Sequence, residues 1–128
     1  MSRSVLDASA ILAVLQNEPG NEVLTDELLA ESVASAVNLA EVQTSMVRRG
    51  VPEDEVWMKA SVPVGQVIDF TEGQARVAGS LVAKTRGLGL SLGDCACLAL
   101  ALELKAPVYT ADRSWKKLSL GVAIHVIR

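Results

Sequence analysis

Along the chain, short apolar runs alternate with stretches whose apolar residues recur at helical spacing. Residues 4–6 read as a short buried strand ending at Asp7, and a helix capped by Asp7 or Ser9 runs to about Leu15. Asn17-Glu18-Pro19-Gly20 supplies a turn. A second helix is predicted over 21–31, with Val23, Leu24 and Leu28 facing inward, and a weakly marked strand over 33–36. Asn38 is placed as the cap of the next helix, Glu41 in its first turn, and Arg48-Arg49-Gly50 at its end, where basic residues and then glycine are favoured. Pro52-Glu53-Asp54-Glu55 opens a further helix that carries Trp57 and stops before Val62-Pro63. Residues 66–70 form the third predicted strand, and Thr71 caps a helix to about Arg86, with Gln74 at the capping-box position.

The stretch 90–112 organises the rest. Ser91-Leu92-Gly93-Asp94 delivers a carboxylate to a helix start, and the helix over 95–105 is apolar on nearly every side, the mark of a buried helix. Pro107 ends it, Val108-Tyr109-Thr110 reads as a strand, and Asp112 lies just beyond. A short helix over 113–118 and a last strand over 122–127 complete the chain. This alternation predicts one α/β domain spanning 1–128, a three-layer sandwich around a central, mostly parallel sheet. Such sheets bind ligands beyond the carboxyl ends of their strands. Asp7, Glu41, Asp94 and Asp112 are all expected at that edge.

Composition narrows the options. A chain of 128 residues, 50% hydrophobic, is long enough to bury a core. Its 3% aromatic content disfavours a base-stacking platform. Cys95 and Cys97 lie on different faces of one helix and read as small buried hydrophobes of a reducing compartment. The longest apolar run is too short to span a membrane, and Asp7 interrupts the N-terminal run that could pass for a signal peptide. A cytoplasmic location is expected. His125 on the last strand has no partner motif, and the two tryptophans read as packing or interface anchors.

Four carboxylates at one edge repel one another unless a cation neutralises them. With no histidine or thiolate among them, the economical choice is Mg²⁺ or Mn²⁺, and the matching chemistry is metal-assisted phosphodiester hydrolysis. Each acid also has a local reading: Asp7 and Asp112 as N-caps, Glu41 as a first-turn dipole residue. Asp94 is hardest to explain locally, because Ser91 already offers a cap and Gly93 leaves room for close approach.

Val5-Leu6-Asp7-Ala8-Ser9-Ala10, Asn38-Leu39-Ala40-Glu41-Val42, Ser91-Leu92-Gly93-Asp94-Cys95 and Tyr109-Thr110-Ala111-Asp112 together resemble the ordered signature of PIN domains. Within that family the chain looks like the VapC toxins of bacterial toxin–antitoxin pairs, over essentially its whole length. The resemblance implies a Mg²⁺- or Mn²⁺-dependent endoribonuclease whose acidic quartet is Asp7, Glu41, Asp94 and Asp112. It implies supporting roles for Ser9, Asn38 and Thr110. It also implies a homodimer that assembles with a VapB-type antitoxin into a heterotetramer or larger complex. A housekeeping PIN nuclease of RNA processing and a catalytically inactive PIN-fold binding module remain as alternatives.

The net charge of −3 comes from 12 basic and 15 acidic residues; without the four site acids, 11 acids face 12 bases. Arg113, Lys116, Lys117 and Arg86, together with Lys84, are candidates for phosphate contacts, or else form a solvated basic face. Two signalling-type alternatives fall low. A receiver domain wants paired acids after the first strand and a lysine near the last site strand. A haloacid-dehalogenase-type phosphatase wants an acid where this chain has Ser9.

Overall fold

The structure, a computed structural model, describes residues 3–128. Five strands, β1 (Ser4–Leu6), β2 (Ser32–Ser35), β3 (Gln66–Ile68), β4 (Val108–Thr110) and β5 (Ile124–Val126), form one sheet in the order β3-β2-β1-β4-β5. Every neighbouring pair is parallel. The direction in which strands are added reverses between β1 and β4, which opens a crevice at their carboxyl ends. β1 and β2 are buried at every position, as strands covered on both faces must be.

Six helices cover the sheet: α1 (Ala8–Leu15), α2 (Asp26–Ala30), α3 (Ala36–Arg48), α4 (Glu53–Ser61), α5 (Glu72–Lys84) and α6 (Leu92–Leu104). The pleat sorts the core into two halves. Val5, Val33 and Val108 pack with Leu81 of α5, Leu98 and Leu100 of α6, and Trp115. Leu6 and Ala34 pack on the opposite face with Ile11 of α1, Leu39 and Val42 of α3, and Val56 of α4. The expected three-layer sandwich is present, with a sheet that is parallel throughout.

α6 is buried from Cys95 to Ala101 because the sheet, α5 and α3 all pack against it. It begins three residues earlier than its apolar run suggests. Ser91 accepts from the Asp94 amide and Asp94 reaches back to the Ser91 amide, a capping box with aspartate in the third position. The helix closes at Lys105 in the left-handed region, φ 53°, and Pro107 follows two residues on.

Several local expectations change. The predicted helix over 21–31 is a 3₁₀ turn, Asn21–Val23, followed by α2, because the Thr25 hydroxyl caps a new start by accepting from the Leu28 amide. Val23, expected inside, is 44% exposed. Asn38 does not cap α3: Ser35 does, accepting from the Val37 amide, so Asn38 lies within the helix and Glu41 falls in its second turn. Gln74 does not complete a capping box; its amide donates to Glu103 of α6 at 2.9 Å. β3 and β5 are shorter than predicted, and 113–117 is a 3₁₀ turn. Trp115 is fully buried as a packing anchor, whereas Trp57 is 46% exposed.

Candidate functional site

Asp7 closes β1 and caps α1. Its Oδ1 accepts from the Ala10 amide at 2.9 Å and from the Ser9 hydroxyl at 2.8 Å; its Oδ2 accepts from the Thr110 hydroxyl at 2.6 Å. The side chain is buried, and burial pushes its carboxyl up to about 6. The bonds from Thr110, Ala10 and Ser9 oppose that rise, while the charge of Asp94 adds to it.

Ser9 and Thr110 hold more than Asp7. The Ser9 hydroxyl accepts from the Ala111 amide at 2.9 Å, and the Thr110 hydroxyl accepts from the Asp112 amide at 3.0 Å. Each hydroxyl has one proton, and each directs it at Asp7. The loop that carries Asp112 is therefore tied to Asp7 by two hydroxyls, one from each side of the β1–β4 crevice. Asp112 itself caps the 3₁₀ turn, its Oδ1 accepting from the Ser114 amide at 2.9 Å and the Ser114 hydroxyl at 2.7 Å.

Glu41 reaches the same edge from α3. Its Oε1 accepts from Asn38 Nδ2 at 2.9 Å, and the second Nδ2 proton goes to the Gly93 carbonyl at 3.0 Å. Both acceptors are oxygens, which fixes the amide's orientation. Asn38 Oδ1 is then left buried without a partner. Partial burial raises the Glu41 carboxyl, the Asn38 bond lowers it, and the charge of Asp94 raises it again. Glu41, in the second turn of α3, is thus not the first-turn dipole residue of the local reading.

Asp94 is half-buried in the first turn of α6, its Oδ2 accepting from the Ser91 amide at 2.9 Å. Cys97 of α6 is fully buried. Its thiol is held well above its usual value by burial and then by the charges of Asp7, Asp94 and Glu41. The charge of Asp94 bears on both Asp7 and Glu41, while Asp112 is joined to Asp7 through Thr110. Asp94 and Asp112 each commit an oxygen to a local cap. Among the described residues no three acid, histidine or cysteine side chains are drawn together into metal-ligand geometry.

Asp7, Glu41 and Asp94 offer carboxylate oxygens, the donors that a hard divalent cation prefers, while burial and their charges keep the Cys97 thiol protonated and so unsuited to a metal.

Of the basic candidates, Arg113 directs its Nε to the Arg128 carbonyl at 3.0 Å. Lys116, Lys117 and Arg86 are exposed. Sequence reasoning missed a different feature. An open groove of about 580 Å³ runs along α3 from Glu41 past Thr44 and Ser45 to Arg48 and Arg49. The signal was available, since 41, 44, 45 and 48 share one helix face. The two arginines had been read only as a helix end.

Comparison with known proteins places these features. A family model described as PIN domain matches residues 4–120. "Ribonuclease VapC" of Mycolicibacterium smegmatis (strain ATCC 700084 / mc(2)155) is 33% identical, with 94% of this chain and 99% of the relative covered. Among solved structures, the DNA-bound VapBC of Salmonella typhimurium superposes with a TM-score of 0.75 at 18% identity, covering 97% of both chains. VapC20 of Mycobacterium tuberculosis, a Sarcin-Ricin loop cleaving toxin, gives a TM-score of 0.70 at 17% identity, covering 94% of this chain and 98% of that one. At these identities the structures speak to the fold.

Proposed function

Because this chain belongs to the PIN-domain family and, within it, to the VapC ribonucleases, we propose that it is a Mg²⁺- or Mn²⁺-dependent endoribonuclease acting as the toxin of a toxin–antitoxin pair. The observation that carries the reading is the Glu41 carboxylate lying against Gly93, next in the chain to Asp94, with the Asp94 charge raising the carboxyls of both Glu41 and Asp7. A carboxylate charge that raises its neighbours' proton affinity is relieved when a cation binds among them.

Asp7, Glu41 and Asp94 would hold the metal, with Asp112 closing the site from the β4 side. The bound ion supplies Lewis acidity toward a phosphodiester and makes water nucleophilic near neutral pH. Ser9 and Thr110 hold Asp7 by its two oxygens, and Asn38 orients Glu41. Arg48 and Arg49 receive the phosphates of an RNA strand lying in the α3 groove, with Lys116, Lys117 and Arg86 as further contacts. The partner is a VapB-type antitoxin and the working form a homodimer bound to it, consistent with structural neighbours that include VapBC complexes of Rickettsia felis and Salmonella typhimurium. An RNA substrate and such a partner place the protein in the cytoplasm.

The test expresses the parent beside Asp7→Asn and Asp94→Asn. The parent cuts RNA in Mg²⁺, is silenced by EDTA and arrests growth, and neither variant does. Cleavage that survives both substitutions refutes the assignment. A parent that binds Mn²⁺ but cuts no RNA favours an inactive binding module. A parent that cuts RNA without arresting growth, and has no small antitoxin gene directly upstream, favours a housekeeping nuclease.

A further inference from the structure

We propose that Gly93 is a positioning residue of this site: its missing side chain lets the Glu41 carboxylate lie against the first turn of α6, in the path of Asp94. The proposal rests on the metal-site reading above. A Cβ built at position 93 would overlap the Cδ and both carboxylate oxygens of Glu41.

Other reasons for a glycine do not apply there. The residue sits inside the first turn of α6, and it is not one of the glycines with a left-handed backbone. Glycine in a helix normally weakens it relative to alanine. The other helical glycines offer a contrast. A Cβ at Gly79 meets nothing within 4 Å, and one at Gly73 meets only Thr71 Oγ1 at 3.8 Å. Close approach by Glu41 is the constraint particular to Gly93.

The contact belongs to a closed unit. Asn38 donates one Nδ2 proton to Glu41 and the other to the carbonyl of Gly93 itself, so a single amide clamps the carboxylate to the backbone it rests on. Asn38 is buried, which closes that side. An alanine methyl would therefore drive Glu41 outward into the α3 groove, off Asn38 and away from the cation that Asp7 and Asp94 share.

The test compares thermal unfolding in EDTA with Mn²⁺ binding by calorimetry. In a Glu41→Ala background, Gly93→Ala raises Tm, as helix propensity dictates; in the parent the same substitution lowers it. A rise of equal size in both backgrounds overturns the proposal. In the parent, Gly93→Ala weakens Mn²⁺ binding by about 10- to 100-fold, the usual cost of disturbing a residue that orients a ligand. Because a shorter carboxylate clears the methyl, Gly93→Ala with Glu41→Asp binds Mn²⁺ no more weakly than Gly93→Ala alone. Unchanged affinity in the single variant, or losses that simply add in the double, overturns the role. A parent that takes up no Mn²⁺ defeats the metal reading and the positioning role with it, although the Tm comparison would still report whether Gly93 seats Glu41.

Discussion

The Thr110 hydroxyl donates to Asp7 Oδ2 across 2.6 Å and accepts from the Asp112 amide at 3.0 Å. One hydroxyl thus joins the carboxyl ends of β1 and β4 at the point where the sheet's strand order reverses. Thr110→Val keeps the shape and removes both bonds. It leaves a buried carboxylate oxygen with one donor fewer, and a loss of about 1–3 kcal/mol in stability is expected. The Asp7 carboxyl also rises further, because the Thr110 bond is the largest effect holding it down. Urea denaturation reads the first effect, and NMR titration of the Asp7 carboxyl reads the second.

The raised Asp7 carboxyl fixes the sign of a pH dependence. Its native value of about 6 exceeds the ordinary value of 3.8, so the folded chain holds this proton more tightly than the unfolded chain. The stabilising contribution is complete below about pH 4 and is lost as pH rises through 6. At roughly 1.4 kcal/mol per unit, it amounts to about 2–3 kcal/mol. The metal-free protein is therefore expected to be more stable at pH 5 than at pH 7.5, and Asp7→Asn flattens that slope while abolishing cleavage. Chemical denaturation in EDTA across this range checks it.

Leu98 sits in the middle of α6 with no exposed surface. Leu98→Ala opens a cavity behind the turn that carries Gly93 and Asp94. A loss of about 2–5 kcal/mol is expected, measured as a fall in the denaturation midpoint at unchanged m-value.

Arg48 and Arg49 lie at the far end of the groove that begins at Glu41. Each is solvent-exposed, so alanine there leaves the fold's stability within about 0.5 kcal/mol. If each contacts a phosphate, each substitution weakens RNA binding uniformly across sequences and reduces the salt slope by about one. Binding titrations at several ionic strengths, using an uncleavable RNA or Ca²⁺ in place of Mg²⁺, measure this.

The strands at the site's centre were legible because burial on both faces leaves a plain record: Val5-Leu6 and Val108-Tyr109-Thr110 are short, apolar or β-branched, and end at acids. The sheet edge at which the acids were expected followed from the alternation of elements. What the sequence concealed were choices between equivalent local donors. Ser35, Asn38 and Thr25 are all good cap residues, and only tertiary placement decides that Asn38 turns inward to Glu41 while Thr25 breaks a helix in two. Gln74 likewise leaves its cap for Glu103, a partner 29 positions away. The α3 groove was missed for a related reason: arginines that suit a helix end satisfy a local rule, and that rule masks their second use.

Asp7 and Thr110 stand 103 positions apart in the chain. The β1–β4 pairing that unites them is correspondingly non-local, a contact that forms slowly because its loop entropy comes first. During synthesis, Asp7, Glu41 and Asp94 all emerge before the hydroxyl that seats the first of them. A ribosome making this protein therefore carries Asp7 and Glu41 for most of elongation without an assembled site, which is completed only as the last strands dock.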